Sequence, residues 1–269
     1  MKCLGLVLGI ALAVSAADDF KRTEDVIYGR KFGTALTMDV IEPAKPNGFG
    51  MVFVVSGTWK SNHASIVPKY FNKVLERGYT VFAVVPSSQP RFTIPEIIED
   101  VRLAVKVIQT DASKWKVDGT KIGLSGASAG CHLALLAMEK AGSVACFFPP
   151  TDFLNWGQTG VNGAGVGPLA AYREIFGPKA GTEELGRAVS PVYLVNEKTP
   201  PVLLIHGDKD RTVPLQQSEV FIEKMKQAGA KHKLIVMPGK DHGWATIYDD
   251  FTLLADWFDQ TLRGIQAVP

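Results

Sequence analysis

The stretch KIGLSGASAGCHLALL, residues 121–136, decides the fold of this chain. Its first residues form an apolar run typical of a buried strand, and its last residues place apolar side chains at helical spacing. Between them lies Gly126-Ala127-Ser128-Ala129-Gly130, which matches the pattern G-x-S-x-G. Small flanking residues allow a sharp turn that holds the Ser128 hydroxyl above the sheet edge. The stretch therefore predicts a strand, a tight turn and a helix, with a reactive serine at the turn.

Two features of the same stretch bear on that serine. The helix dipole and the amide of Ala129 are placed to stabilise a negative oxygen that develops beside Ser128. Ser125 is the competing serine, but it belongs to the strand side of the turn, and we expect its hydroxyl to point into the packing. The alternative is a glycine- and serine-rich turn without a nucleophile.

A serine at its ordinary pKa needs a base, and the base needs a carboxylate that orients it. One predicted strand runs into Gly207–Pro214, and the next runs into 238–244, which contains His242. We expect His242 to be the base, the alternative being a surface histidine. The acid is Asp208 or Asp210. We favour Asp210 and expect Asp208 to tie down the loop through hydrogen bonds to backbone amides.

A second oxyanion donor is expected from the loop Ser56–Ser61, which follows a predicted strand. The candidate is the amide of Thr58, or that of Gly57 or Trp59. Trp59 either lines the substrate pocket or packs beneath this loop. Together with Trp156, it is our candidate for substrate binding.

The chain has five histidines, and we expect only His242 to act in chemistry. The others have structural or solvated positions: His132 packed on the serine's helix, His206 at the end of a buried strand, and His63 and His232 solvated beside loops. None has the spacing of a zinc site, so neither a metal nor another cofactor is predicted.

The composition is that of an average globular protein and excludes several classes. The chain has 269 residues, 46% of them hydrophobic, and Lys plus Arg outnumber Asp plus Glu by only 29 to 27. No basic stripe is present, so a nucleic-acid partner is not expected. A chain of this length can bury a large core without a metal or disulfide. Cys131 and Cys146 lie in apolar contexts and are expected as buried thiols rather than as a disulfide.

The first 17 residues have the pattern of a secretory signal peptide. Lys2 precedes the apolar run Leu4–Val14, and small residues follow it. The run is too short to span a bilayer, which takes roughly 20 residues. We therefore expect cleavage near Ala16 or Ala17, a secreted or periplasmic protein, and no membrane contact after cleavage.

Strand-like and helix-like segments alternate along residues 18–269, which predicts a single α/β domain. We expect a mostly parallel sheet of about eight strands flanked by helices on both faces, with the first two strands as an antiparallel hairpin at one edge. The predicted strands are 25–28, 36–41, 51–55, 80–85, 121–125, 143–148, 201–206 and 233–237. The predicted helices are 66–76, 93–110, 128–140, 215–228 and 249–263. The Gly- and Ala-rich segment 152–199 breaks the alternation and is interpreted as a small lid insertion, with helices at 169–176 and 183–189.

The serine turn, the run Gly207–Pro214 and the run Asp241-His242-Gly243-Trp244 together resemble the α/β-hydrolase superfamily. Within it they are most similar to secreted esterases and lipases that include acetylxylan and feruloyl esterases, a group adjoining the prolyl oligopeptidase-like hydrolases. The resemblance implies a catalytic triad of Ser128, Asp210 and His242, with Ala129 as an oxyanion donor. The chain departs from the group in its oxyanion loop, where Ser56 or Val55 replaces the usual histidine.

These features together predict a secreted serine carboxylic ester hydrolase. We expect it to act through an acyl-enzyme on short-chain acyl esters of plant-wall carbohydrate or similar small-molecule and polysaccharide esters. The alternatives are a serine peptidase of prolyl oligopeptidase-like type, an aryl-ester or polyester hydrolase, and a hydrolase-fold binding protein without catalysis.

Overall fold

Eight strands form one sheet in the computed structural model, which describes residues 20–156 and 173–265. The spatial order of the strands is β1-β2-β4-β3-β5-β6-β7-β8. Their bounds are β1 Phe20–Lys31, β2 Thr34–Pro43, β3 Gly50–Val54, β4 Thr80–Val85, β5 Ile122–Ala127, β6 Ser143–Phe147, β7 Val202–Gly207 and β8 His232–Met237. Each strand of the sequence-based prediction is present, and most bounds agree within two residues.

The sheet is mostly parallel, as predicted. β1 and β2 form an antiparallel hairpin at one edge, and β2 pairs antiparallel with β4. From β4 to β8 every pairing is parallel. The parallel strands therefore end at one common edge, where α/β sheets place their functional loops. β1 is much longer than predicted, because its exposed, charged positions hide the alternation that marks a half-buried strand.

Helices cover both faces of the sheet. They are α1 Asn72–Leu75, α2 Ile94–Asp111, α3 Ala129–Leu136, α4 Arg173–Phe176, α5 Glu183–Ala188, α6 Gln216–Gln227 and α7 Phe251–Thr261. Side chains of β4 alternate between the two layers: Phe82 and Val84 join the core under α2, α3 and α6, whereas Val81 and Ala83 join the core under α1 and α7. This confirms the α/β class with two apolar layers.

Two predicted helices are wrong in their extent: the helix predicted over 128–140 ends at Leu136, and the helix predicted over 66–76 is broken up. Residues 66–76 form a 3₁₀ turn over Pro68–Phe71 followed by the short α1, because Pro68 has no amide for a helical hydrogen bond and begins the structure instead of continuing it. By contrast, α2 begins where predicted. Its N-cap Thr93 and Glu96 form a capping box, with the Thr93 amide 2.8 Å from the Glu96 carboxylate.

The insertion lies partly outside the described residues. The predicted helix 169–176 is described only from Arg173 onward, and the predicted signal peptide, residues 1–17, lies outside the described ranges. Cys131 and Cys146 are buried and not bonded to each other, and burial raises the pKa of the Cys131 thiol. Among the described residues, no helix combines the length and apolarity needed to cross a bilayer.

Candidate active site

Ser128 lies on a strained turn between β5 and α3. Its backbone has φ 53° and ψ −123°, a conformation that costs a non-glycine residue on the order of 1–3 kcal/mol. The flanking glycines are required by close packing. A Cβ on Gly126 would lie 2.5 Å from the Gly130 carbonyl carbon, and a Cβ on Gly130 would lie 2.3 Å from the Val54 carbonyl oxygen. The G-x-S-x-G pattern is thus explained by steric need.

His242 connects the serine to a carboxylate. Its Nε2 is 2.9 Å from Ser128 Oγ, and its Nδ1 is 2.8 Å from Asp210 Oδ2. With Nδ1 protonated toward the carboxylate, Nε2 is free to accept the serine proton. The ring packs against Phe148, whose ring centroid is 4.5 Å away. The structure therefore brings together the three residues predicted as a triad, in the order required for proton transfer.

Asp210 is held as a carboxylate. Its side chain is fully buried, and its Oδ1 accepts the amides of Thr212 and Val213 at 2.8 Å each. Burial alone raises the pKa of Asp210, but hydrogen bonds from His206 and His242 and from the Val213 amide outweigh it and hold this pKa well below its usual value. Asp210 is therefore charged throughout the range in which an imidazole titrates.

Asp208 binds a backbone amide, which is the role expected for it from the sequence. Its Oδ1 accepts the Gly239 amide at 2.6 Å, which ties the loop after β7 to the loop after β8. Arg211 and Asp241 join the same loops, with the Arg211 amide 3.0 Å from Asp241 Oδ1. Hydrogen bonds from Arg211 and the His242 amide lower the pKa of Asp241 to about 2.

His206 contacts Asp210 in a way that sequence reasoning missed. Its Nε2 lies 3.2 Å from Asp210 Oδ2 and 2.9 Å from the Val213 carbonyl. Because a carbonyl can only accept, Nε2 carries the proton, and Nδ1 accepts the Ser218 hydroxyl at 2.7 Å. The available signal was the position of His206 four residues before the acid, at the end of the same strand.

The oxyanion loop is a tight turn between Gly57 and Lys60. The amide of each donates to the carbonyl of the other at 2.9 Å, and the intervening Thr58 and Trp59 have φ of 48° and 56°. The Gly57 amide is therefore already engaged, which removes it from the candidate oxyanion donors. Within residues 20–156 and 173–265, the amides of Thr58, Trp59 and Ala129 have no acceptor.

The two candidate substrate-binding tryptophans are packed against the insertion. The Trp59 indole N–H donates to His132 Nδ1 at 3.0 Å, and its ring lies 5.9 Å from that of Phe153. The Trp156 ring stacks on the ring of Phe153, with 5.6 Å between the centroids. These contacts favour the alternative in which Trp59 packs beneath its loop. They leave a substrate contact by Trp156 as a prediction.

The structure agrees with the expected position of His132 but not with that of His63. His132 is packed and fully buried, as predicted. His63 was expected to be solvated, yet its ring is held between two carboxylates, with Nε2 3.3 Å from Asp25 and Nδ1 3.4 Å from Asp39. Opposite nitrogens of one imidazole cannot bind one ion, and Asp39 is already paired with Arg22 at 2.5 Å. This cluster is therefore a poor fit for a metal.

Comparison with known proteins identifies the family of the chain and its fold. The family model for BD-FAE matches residues 38–225, which include the strand–serine–helix unit and the Asp210 loop. The chain belongs to the BD-FAE family. The chain is also similar to a curated relative, with 26% identity over 242 residues. This relative is the probable isoprenylcysteine alpha-carbonyl methylesterase ICME of Oryza sativa subsp. japonica. The alignment covers 81% of this chain but 57% of that relative, so the chain spans little more than half of its length.

Solved structures share the fold of this BD-FAE protein. A truncated carbohydrate esterase from gut microbiota has a TM-score of 0.79 at 23% identity, covering 92% of this chain and 99% of its own. Esterase 2 of Thermogutta terrifontis with bound butyrate has a TM-score of 0.72 at 24% identity, with 94% and 97% covered. The same esterase has been solved phosphorylated by paraoxon. The architecture is therefore the α/β-hydrolase fold.

Proposed function

We propose that this BD-FAE protein is a serine carboxylic ester hydrolase. The observation that carries the proposal is the hydrogen-bonded series from Ser128 Oγ through His242 to the buried Asp210 carboxylate, with distances of 2.9 Å and 2.8 Å. Such a series raises the nucleophilicity of the serine hydroxyl at neutral pH. The names of the relative and of the structural neighbours, which are esterases, support the same activity.

In the acylation step, Ser128 Oγ attacks the ester carbonyl carbon while His242 Nε2 takes the hydroxyl proton. The positive imidazolium is stabilised by Asp210, and the negative carbonyl oxygen by the amides of Ala129 and Thr58. When the carbonyl re-forms, the bond to the alcohol oxygen breaks, and His242 returns its proton to that oxygen. The alcohol leaves, and the acyl group remains on Ser128.

Deacylation repeats the sequence with water. His242 Nε2 takes a proton from a water molecule, whose oxygen attacks the acyl carbon. Collapse of the second tetrahedral intermediate releases the carboxylic acid and returns the proton to Ser128 Oγ. No group outside the triad and the amides is needed, so the proposed reaction is complete with residues of this chain.

We propose short acyl groups on a bulky alcohol, such as a plant-wall sugar, as the substrates. The insertion sequence supports this: it is glycine-rich and has few large apolar residues ahead of Leu169, with Gly157, Gly160, Gly163, Gly165 and Gly167. A strip of this composition lacks the side chains for a deep apolar tunnel. The butyrate bound to Thermogutta esterase 2 and the carbohydrate esterase among the neighbours support the same substrate class.

We also propose that the protein acts outside the cytoplasm, in secreted or periplasmic form. The support is the charged start, apolar middle and small-residue end of residues 1–17. N-terminal sequencing of the exported protein checks this, with a mature terminus near residue 17 or 18 expected. Recovery of the uncut chain in the cytoplasm contradicts it.

The decisive experiment on the activity is the replacement of Ser128 with alanine. We expect p-nitrophenyl acetate hydrolysis to fall by a factor on the order of 10⁴–10⁶ with the fold retained, because the nucleophile is deleted and no strain is added. A fluorophosphonate probe should label Ser128, with Ser125→Ala as the matched control that keeps labelling. Activity of Ser128→Ala within about tenfold of the parent contradicts the proposal.

A further inference from the structure

We propose that His132 is a positioning residue for the reaction: by accepting the Trp59 indole N–H, it holds the loop that presents the second oxyanion amide. This inference rests on the proposed ester hydrolysis and adds a residue pair that the triad does not contain. His132 lies on the serine's own helix, four residues after Ser128, and its amide donates to the Ser128 carbonyl at 3.0 Å.

The hydrogen bonds of the His132 ring define one tautomer. Nδ1 accepts the Trp59 indole N–H at 3.0 Å, and Nε2 lies 2.7 Å from the Val189 carbonyl. Because a carbonyl can only accept, Nε2 carries the proton and Nδ1 is the acceptor. Burial lowers the pKa of His132 to about 4, so this neutral form is present at neutral pH. One ring thus joins the oxyanion loop, the serine's helix and the end of the insertion.

The oxyanion loop needs such support because of its backbone. Thr58 and Trp59 are successive non-glycine residues at positive φ, a conformation that persists only where the surroundings hold it. Its carbonyls are tethered: that of Ser56 accepts the Gly130 amide at 3.0 Å, and Gln89 binds those of Thr58 and Trp59 at 3.2 and 3.1 Å. These bonds fix the carbonyl side of the turn and, among the described residues, leave the amides of Thr58 and Trp59 without an acceptor.

The hydrogen bond from the Trp59 indole N–H to His132 Nδ1 holds the loop through a side chain. Trp59 is otherwise held by aromatic packing, with ring centroids 5.6 Å from His132 and 6.2 Å from Phe176. Aromatic packing permits sliding and rotation of a ring, whereas a hydrogen bond to a buried acceptor fixes its direction. The Trp59 ring is therefore held in one direction, and the indole bond anchors the Thr58–Trp59 part of the turn.

A positioning role of this kind affects the transition state more than substrate binding. The free amides face an oxygen that becomes negative only during attack, so their misplacement lowers kcat and leaves KM nearly unchanged. A displacement of about 1 Å in such a group can cost on the order of a hundredfold in rate. Substitution of a residue that only stabilises the fold is not expected to lower kcat while leaving KM unchanged.

Three single variants separate the two hydrogen bonds of His132. Trp59→Phe removes the indole N–H and keeps an aromatic ring against Phe153. His132→Gln places an amide N–H where Nε2 lies and keeps the Val189 bond, but it removes the Nδ1 acceptor. His132→Asn is the matched control, since its amide oxygen occupies the place of Nδ1 and keeps the bond to Trp59.

We expect Trp59→Phe and His132→Gln each to lower kcat for p-nitrophenyl acetate by about 10- to 100-fold, with KM within about twofold. The double variant should lose no more than either single variant, because both remove the same bond. His132→Asn should keep kcat within about threefold. Equal losses in His132→Asn and His132→Gln, or a Trp59→Phe enzyme with unchanged kcat, overturn the inference.

A second measurement does not depend on activity or on a variant that folds. In the unsubstituted protein, ¹⁵N NMR should show His132 with Nε2 protonated and Nδ1 bare, coupled to the Trp59 indole N–H. The opposite tautomer overturns the inference. If the parent enzyme hydrolyses no ester, the proposed function fails, whereas an active parent with a normal kcat in Trp59→Phe refutes only the role of His132.

Discussion

Three of the seven non-glycine residues that have positive φ in the described part of the chain are residues to which we assign a role at the reacting oxygen atoms. Ser128, Thr58 and Trp59 all have positive φ without being glycine, and each such residue costs on the order of 1–3 kcal/mol. The surrounding hydrogen bonds offset this cost, as those from Gly130 and Gln89 to the oxyanion loop show. These strained positions coincide with the proposed nucleophile and with the loop from which we expect the second oxyanion donor.

The choice between the two loop carboxylates gives the first residue-scale prediction. Asp210→Asn should lower kcat by on the order of 10⁴, because a neutral side chain does not stabilise the imidazolium and, with its oxygen bound to the Thr212 and Val213 amides, presents an NH2 group to His242 Nδ1. Asp208→Asn should cost less than about tenfold, since its amide oxygen can still accept the Gly239 amide. Steady-state kinetics on both variants decide the matter. Equal losses leave the acid unassigned, and a larger loss at Asp208 reverses the assignment.

The buried His132 also predicts how stability depends on pH. Its folded-state pKa of about 4 lies below the unfolded value of roughly 6.5, so the unfolded chain binds a proton first as the pH falls. Its contribution to stability is therefore complete above about pH 6.5 and is lost toward pH 4, on the order of 3 kcal/mol in total. Asp210, whose pKa is also lowered, acts only below its unfolded value of about 3.9.

Urea unfolding between pH 4.5 and pH 7.5 measures this effect. The parent should lose stability on acidification, and His132→Asn should show a flatter curve over the same interval because the titrating group is absent. Parallel curves for the two proteins contradict a buried neutral His132.

At the scale of elements, the close approach of α3 to β3 sets the distance between the serine turn and the oxyanion loop. Gly130→Ala would push a Cβ to 2.3 Å from the Val54 carbonyl, which forces the helix away from the strand. We expect a loss of kcat of at least a hundredfold and a lower melting temperature. Gly57→Ala is the matched control, since a Cβ there meets nothing within 4 Å, and its activity should stay within about twofold. Kinetics and thermal unfolding of both variants test the expectation.

The strands were predictable because buried parallel strands carry continuous apolar runs, and β4 agrees in both of its ends. The helix predicted over 66–76 failed because Pro68 interrupts a sequence that still keeps apolar spacing. Contacts in the site between segments that are far apart in the sequence leave no comparable pattern in the sequence. The bond from His206 to Asp210 and the bond from Trp59 to His132 join side chains whose approach is set by the packed sheet, not by local spacing.

At the scale of the whole molecule, the site is assembled from loops at the common edge of the parallel strands. Ser128 follows β5, Asp210 follows β7 and His242 follows β8, and the Arg211–Asp241 ion pair binds the last two loops to each other. A rigid sheet thus fixes the proposed triad, and we propose that the insertion between β6 and β7 determines substrate choice.

That division predicts selectivity by acyl length. The glycine-rich part of the insertion offers few large apolar side chains, so each added methylene of a long acyl chain gains little of the ~0.8 kcal/mol available in a true apolar pocket. We therefore expect kcat/KM for p-nitrophenyl acetate and butyrate to exceed that for decanoate, and acetylated xylan to be deacetylated. A tunnel of good fit would instead favour decanoate by several orders of magnitude, and that ratio would refute the short-acyl proposal while leaving the triad untouched. The rates measured with Ser128→Ala in the same series give the background of spontaneous hydrolysis, which is subtracted.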